Sequence, residues 1–143
     1  MSAPEIHVLN GPNLDLLGVR EPHIYGSITI TQIEEMCRDV AAGPLVFAQT
    51  NNEGQMIDLI HAARATAGGI IINPAGWSFT SIAVLDALKT FEGPIIELHI
   101  SNIHARDKAH RNSILSQGVT AVIAGLGAKG YPTAVKAMYD LIG

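Results

Sequence analysis

The sequence predicts an α/β fold: a parallel sheet of about five strands with helices on both faces. Three observations predict it. Apolar strand-like runs alternate with amphipathic helix-like runs along the whole chain. One of the strand-like runs, Ile70-Ile71-Ile72-Asn73, is apolar without alternation, as a strand covered on both faces should be. No linker, repeat or low-complexity segment interrupts the pattern, so residues 1–143 read as one domain.

The elements follow in order. Ile6-His7-Val8-Leu9 is the first strand. Residues 10–26, NGPNLDLLGVREPHIYG, come next and are punctuated too often by glycine and proline for a regular helix or strand. A loop this long in a compact chain is usually functional. Thr29-Ile30-Thr31-Gln32 and Thr31-Gln32-Ile33-Glu34 both read as capping boxes and open a helix whose apolar face is Ile33, Met36, Cys37 and Val40. Ala42-Gly43-Pro44 stops it. Leu45–Gln49 is the second strand. Thr50–Gly54 is a polar turn into a helix with Met56, Leu59, Ile60 and Ala63 on one face, ended by Gly68-Gly69. After the third strand, Pro74-Ala75-Gly76 turns into a third helix carrying Ile82, Leu85, Asp86 and Lys89, closed by Glu92-Gly93-Pro94. Ile95–Ile100 is the fourth strand. Ser101–Ser113 is polar with a short helix. Thr120–Ala124 is the fifth strand, and Gly125–Gly130 turns into a last helix with Val135, Met138, Tyr139 and Ile142 facing inward. Right-handed crossovers between about five parallel strands point to a flavodoxin-like three-layer sandwich in strand order 2-1-3-4-5.

Composition narrows the function. The chain is 48% hydrophobic and 15% charged. Its mean hydropathy of +0.26 is high for a soluble monomer and points to surface buried between subunits. Net charge is -4 with only 9 lysines and arginines, which leaves no basic patch for nucleic acid. The single cysteine, Cys37, excludes an internal disulfide framework and fits a reducing compartment. No apolar run approaches the roughly 18 residues of a membrane span, and Met1–Glu5 lacks the regions of a signal peptide. A cytoplasmic protein is expected.

In this architecture ligands bind outside the carboxyl ends of the strands. The polar residues there are Asn10 and Asn13, then Asn73, then His99, Ser101 and Asn102. The Arg20–Tyr25 loop is anchored at the same edge, so all of these converge on one pocket. Glu97 and His99, two apart on a strand, share a face. They are either a carboxylate orienting a histidine or a surface salt pair on an edge strand. Arg20 and Tyr25 are either a phenol made more acidic by a guanidinium, with Arg106 as a second positive charge, or a packed loop tyrosine beside a solvated arginine. Asn13 and Asn73 either cap turns or donate to an oxyanion. Gly125-Leu126-Gly127-Ala128-Lys129-Gly130 matches G-x-G-x-x-G. It follows the last strand, however, where a dinucleotide's acidic ribose contact has no place, so tight strand-to-helix packing accounts for it better. His99, His104 and His110 lack metal-ligand spacing, so no zinc is expected. Ser78 and Ser81 have no nucleophile-elbow context.

These residues also resemble a known family. Asn10-Gly11-Pro12-Asn13-Leu14 with Gly18, Arg20-Glu21-Pro22 and Tyr25-Gly26 resemble the opening of type II dehydroquinases (3-dehydroquinate dehydratases). Glu97-Leu98-His99-Ile100-Ser101-Asn102 with His104-Ala105-Arg106 resembles their second signature. Asn73-Pro74, Thr80-Ser81 with Asp86, and Gly125-Leu126-Gly127 with Gly130-Tyr131 fall in family order. The resemblance implies a flavodoxin-like fold, a homododecamer built from trimers, and dehydration of a small-molecule substrate without cofactor or metal. It implies that Tyr25, kept as phenolate by Arg20 and Arg106, removes the proton beside the ring ketone. Asn13 would stabilise the enolate through a water, and His99, held by Glu97, would protonate the departing hydroxyl. Asn73 and the backbone at Ile100 and Ser101 would hold the substrate carboxylate, and Asp86 would come from a neighbouring subunit. The loop bearing Arg20 and Tyr25 would close as a lid.

Two positions depart from the resemblance. The family's histidine ahead of Thr80-Ser81 is Phe79 here, and its arginine is His110, followed by Arg111. Both family residues contact substrate hydroxyls, so losing both contacts would lower kcat/KM on dehydroquinate by roughly 10²–10⁴. Three functions follow: a dehydroquinase with hydroxyl recognition partly rebuilt through His110 or Arg111, an eliminase of the same mechanism on a less hydroxylated cyclic keto acid, or a non-enzymatic carboxylate-binding module. The intact Asn13, Arg20, Tyr25, Glu97 and His99 favour the first, because a binder needs no base and acid together. The pathway, aromatic biosynthesis or quinate breakdown, is open.

Overall fold

The computed structural model describes residues 3–19 and 22–143, with backbone alone for Ile24 and Tyr25. Five strands form one parallel sheet: β1 (Ile6–Asn10), β2 (Leu45–Gln49), β3 (Gly69–Asn73), β4 (Ile95–His99) and β5 (Ala121–Ala124), in order β2-β1-β3-β4-β5. This is the predicted order. Helices α2 (Ile30–Val40) and α5 (Gly130–Ile142) cover one face, and α3 (Glu53–Thr66) and α4 (Ile82–Leu88) the other. A four-residue helix, α1 (Pro22–Tyr25), precedes them.

Side-chain alternation along each strand builds two apolar layers. Ile6, Val8, Ile71, Ile96 and Leu98 pack toward α2 and α5 with Ile33, Cys37, Val135 and Met138. Leu9, Ile70, Ile72 and Ile95 pack toward α3 and α4 with Met56, Ile60, Val84 and Leu88. The same alternation sends Glu97 and His99 to the α3/α4 side, with Ile95.

Helix starts follow local chemistry. The Thr29 box forms: Thr29 Oγ1 accepts from the Gln32 N–H while the Gln32 side chain accepts from the Thr29 N–H. The overlapping box at Thr31 does not, because Thr31 already lies inside α2. Asn52 and Ser81 cap α3 and α4 by accepting from the N–H groups of Gln55 and Val84. Gly130 lets α5 lie against β4; a Cβ there would sit 2.9 Å from Leu98 Cδ1. That supports the packing account of the glycine motif.

Two segments hold more structure than expected. The loop after β1 contains a 3₁₀ turn, Leu14–Leu16, and α1. Buried Leu14 and Leu17 tie it to the core. Pro22, pre-set for a first helical position, starts one turn that closes with Gly26 N–H donating to Pro22 O at 2.8 Å. The polar stretch after β4 is not one short helix. It forms successive 3₁₀ turns at Ile103–Ala105 and Lys108–His110, with a third at Ile114–Gly118. Asn102 nucleates the first by accepting from the His104 N–H, and the second closes through His110 N–H to Asp107 O. In α4 the inward residues are Val84, Leu85 and Leu88, whereas Ile82 is exposed.

Candidate active site

A cavity of about 220 Å³ opens at the carboxyl ends of β1, β3 and β4. The loop after β1 contributes Pro12, Asn13 and the leucines 14, 16 and 17. The end of β3 and the turn after it contribute Asn73, Ala75, Gly76 and Phe79. The end of β4 and its polar continuation contribute His99, Ile100, Ser101, Ile103, Arg106 and His110. The side built by the loop after β1 is therefore aliphatic apart from the Asn13 amide, and the other carries imidazole, amide, hydroxyl and guanidinium groups.

The backbone brings these ends together closely. Gly11 N–H donates to Asn73 O at 2.8 Å. A Cβ on Gly11 would lie 2.6 Å from Pro74 O, so the approach of the two loops needs glycine. On the other flank, Asn51 Oδ1 accepts from the Asn13 N–H at 2.9 Å and from Gln49 Nε2 at 3.1 Å.

Glu97 and His99 form a buried pair. Their strand, β4, lies between β3 and β5, so the edge-strand alternative fails. Glu97 is 0% exposed and His99 4%. His99 Nε2 bonds Glu97 Oε2, and Ser116 Oγ donates to Glu97 Oε1 at 2.7 Å. Burial pushes the Glu97 carboxyl up, but the hydrogen bonds from His99 and Ser116 outweigh it and hold the group below its ordinary value. An ionised carboxylate only accepts, so Nε2 carries a proton and Nδ1 is the nitrogen left for a ligand. Nothing local in the sequence marks Ser116; it sits beyond the polar segment, and only the 3₁₀ turn at Ile114–Gly118 brings it to Glu97.

The two asparagines differ. Asn13 has left-handed backbone, φ 68°, and its side chain caps nothing, although it stands at the start of a turn. Its amide is exposed on the cavity lining. Asn73 is buried and does two things. Its Oδ1 accepts from the Ala75 N–H at 3.2 Å, a turn cap, and its Nδ2 donates to Tyr131 Oη at 2.9 Å. Tyr131 in turn donates to Asn10 Oδ1 at 2.8 Å, and Asn10 Nδ2 donates to Ala48 O at 3.0 Å. Burial drives the Tyr131 phenol far above its usual range, so it stays a neutral donor. In the sequence Tyr131 merely follows the glycine motif, and nothing local marks it as a partner of strand-end asparagines.

Phe79 lies between two histidines. Its ring centroid is 6.5 Å from that of His99, at 26°, and 5.4 Å from that of His110, at 77°. His110 Nδ1 bonds Asp107 Oδ1 at 2.8 Å, and this pairing holds the Asp107 carboxyl below its ordinary value. Arg106 is half-buried on the lining. Arg111 and Asp86 are exposed and do not line the cavity. Arg20 lies outside the described residues, as does the side chain of Tyr25; α1 carries the Tyr25 backbone.

The profile of the Dehydroquinase class II family matches residues 4–139. The chain belongs to that family. Relatives of this class II dehydroquinase include a Cereibacter sphaeroides protein named 3-dehydroquinate dehydratase. It is 49% identical over 139 residues, covering 95% of each chain. The protein of that name from Caulobacter vibrioides is 48% identical over 140 residues, 96% of each chain. Among solved structures, the type II dehydroquinase from Propionibacterium acnes is 42% identical, with a TM-score of 0.88 over 97% of this chain and 98% of that one. Among the described residues, no helix is long and apolar enough to cross a membrane.

Proposed function

We propose that this class II dehydroquinase dehydrates 3-dehydroquinate to 3-dehydroshikimate through an enolate. The observation that carries the proposal is the buried Glu97–His99 pair opening onto the cavity beside Asn13 and Arg106. A neutral imidazole pinned by an ionised carboxylate can take a proton and deliver it from Nδ1 to a departing hydroxyl. Tyr25 is the base, its phenolate favoured by Arg20 and Arg106. Asn13, whose amide is uncommitted to capping, stabilises the enolate through a water. Asn73 and the backbone of Ile100 and Ser101 hold the substrate carboxylate. None of these steps calls for a metal or a Schiff-base lysine.

The oligomer belongs to the same proposal. Asp86 is exposed and away from its own cavity, as a residue supplied to a neighbouring site would be, and Ile82 beside it is 65% exposed. A dodecamer of trimers would cover both.

Proton exchange separates the base from the acid. In deuterated water, His99→Ala should lose dehydration while still exchanging the substrate proton beside the ketone, followed by NMR. Tyr25→Phe should lose both. Exchange that persists in Tyr25→Phe would remove Tyr25 from the role.

A further inference from the structure

We propose that Ser116, assisted by Ser113, is a positioning residue for the acid half of the reaction: it fixes the Glu97 carboxylate against His99 and so serves departure of the hydroxyl, not removal of the proton. The inference rests on the proposed dehydration and deepens it. Glu97 is 0% exposed, so each of its oxygens needs a donor from the protein. Oε2 meets His99 Nε2, and Oε1 accepts from Ser116 Oγ at 2.7 Å. The position of Ser116 is fixed by its neighbour Leu115, which is 0% exposed and packs in the same layer as Val84 and Leu88. Ser113 stands at the start of that turn, yet its side chain caps nothing. Its Oγ is buried with no hydrogen-bond partner among the described residues, and the hydroxyl helps to hold the Glu97 carboxyl low.

Neutral donors suit this place. When the ring holds a second proton on Nδ1 it is a cation, and the Glu97 charge balances it. Delivery of that proton to the departing hydroxyl releases water and returns the neutral ring with its proton on Nε2. A cationic partner in place of Ser116 would cancel the charge that the ring needs. Serine satisfies the oxygen and leaves the charge. The surroundings supply nothing else. Across the sheet Glu97 is flanked by Ile72 of β3 and Val122 of β5. Asp86 and Lys89 of α4, and Lys108 of the turn after β4, are exposed, while Arg106 and His110 line the cavity. His99 is the charged group that acts on the carboxyl. Without Ser116, Oε1 has no donor, and the carboxyl either protonates or turns away from the ring.

The test follows two rates on one sample in deuterated water: dehydration by absorbance, and exchange of the substrate proton beside the ketone by NMR. Ser116→Ala should slow dehydration about tenfold or more while exchange stays within about threefold of native. Ser116 is exposed, which leaves room for a methyl, so Ser116→Thr should keep dehydration within about threefold. In Glu97→Gln protein, where no carboxylate remains to hold, Ser116→Ala should add less than about threefold. Ser113→Ala added to Ser116→Ala should slow dehydration further. A serine that only supported the fold would lower both rates together. Equal loss of both rates, or dehydration unmoved by Ser116→Ala, would overturn the proposal. If the native protein neither exchanges nor dehydrates dehydroquinate, the proposed activity falls separately and acid unfolding decides the serine. The Glu97 carboxyl lies below its ordinary value of 4.5, so its stabilisation is lost as pH falls through the folded value. Ser116→Ala raises that folded value and should move the acid limb of stability up by about one pH unit, but not in Glu97→Gln protein. An acid limb that stays in place would overturn the role of Ser116.

Discussion

Replacing Tyr131 by phenylalanine removes one oxygen from a junction between three elements. Tyr131 Oη accepts from Asn73 Nδ2 at 2.9 Å and donates to Asn10 Oδ1 at 2.8 Å, and all three residues are buried. The change leaves one amide donor and one amide acceptor without partners, each costing about 1–3 kcal/mol. Asn10 and Asn73 are register partners on β1 and β3, so partial repair by direct amide contact keeps the total near the low end. We expect a loss of about 2–4 kcal/mol in urea unfolding at fixed protein concentration. Tyr139→Phe is the control. Its hydroxyl accepts from the exposed Ala42 N–H at 2.8 Å, where water can substitute, and the expected loss is under about 1 kcal/mol. Because Asn73 also lines the cavity, Tyr131→Phe should raise KM more than it lowers kcat. If Tyr131→Phe costs no more stability than Tyr139→Phe, the junction does not support the fold as described.

Other outcomes follow from the same geometry. Glu97→Gln should lower kcat by about 10²–10⁴ through loss of the ion that orients His99. The Glu97 carboxyl is held below its ordinary value of 4.5, so its stabilisation is full above that pH and lost as pH falls through the folded value; Glu97→Gln should flatten this acid limb of a stability–pH curve. Burial pushes the Cys37 thiol from 9.0 to about 12, so its stabilisation is present below pH 9 and lost as pH rises toward 12. The native thiol should resist an aromatic disulfide reagent at neutral pH until the protein is unfolded. Gly11→Ala would place a Cβ 2.6 Å from Pro74 O, so a melting temperature lowered by several degrees and weakened substrate binding are expected together.

Much of the fold was legible because burial repeats with the period of each element. The apolar run at Ile70–Ile72 has both faces covered, and Ile33 and Cys37 are buried at helical spacing. Boundaries moved by single residues where loops continue strand geometry: Gly69 joins β3, while Ile100 and Thr120 fall outside β4 and β5. Within the site, Glu97 and His99 were readable because a strand's period of two puts them on one face. The packing of Phe79 against His110 depends on how successive 3₁₀ turns stack after β4, which no periodicity encodes. Tyr131 meets Asn10 across 121 residues and Asn73 across 58, and a contact of that range leaves no local mark. The Asp107–His110 pair, three apart in one turn, did have a local signal in its spacing.

The most direct measurement is turnover of 3-dehydroquinate by the purified native protein, followed by the ultraviolet absorbance of the conjugated enone product. Absorbance that grows with enzyme concentration, and does not grow with Tyr25→Phe, is the expected result. A flat trace from folded, assembled protein would contradict the assignment of this cavity as a dehydroquinate site.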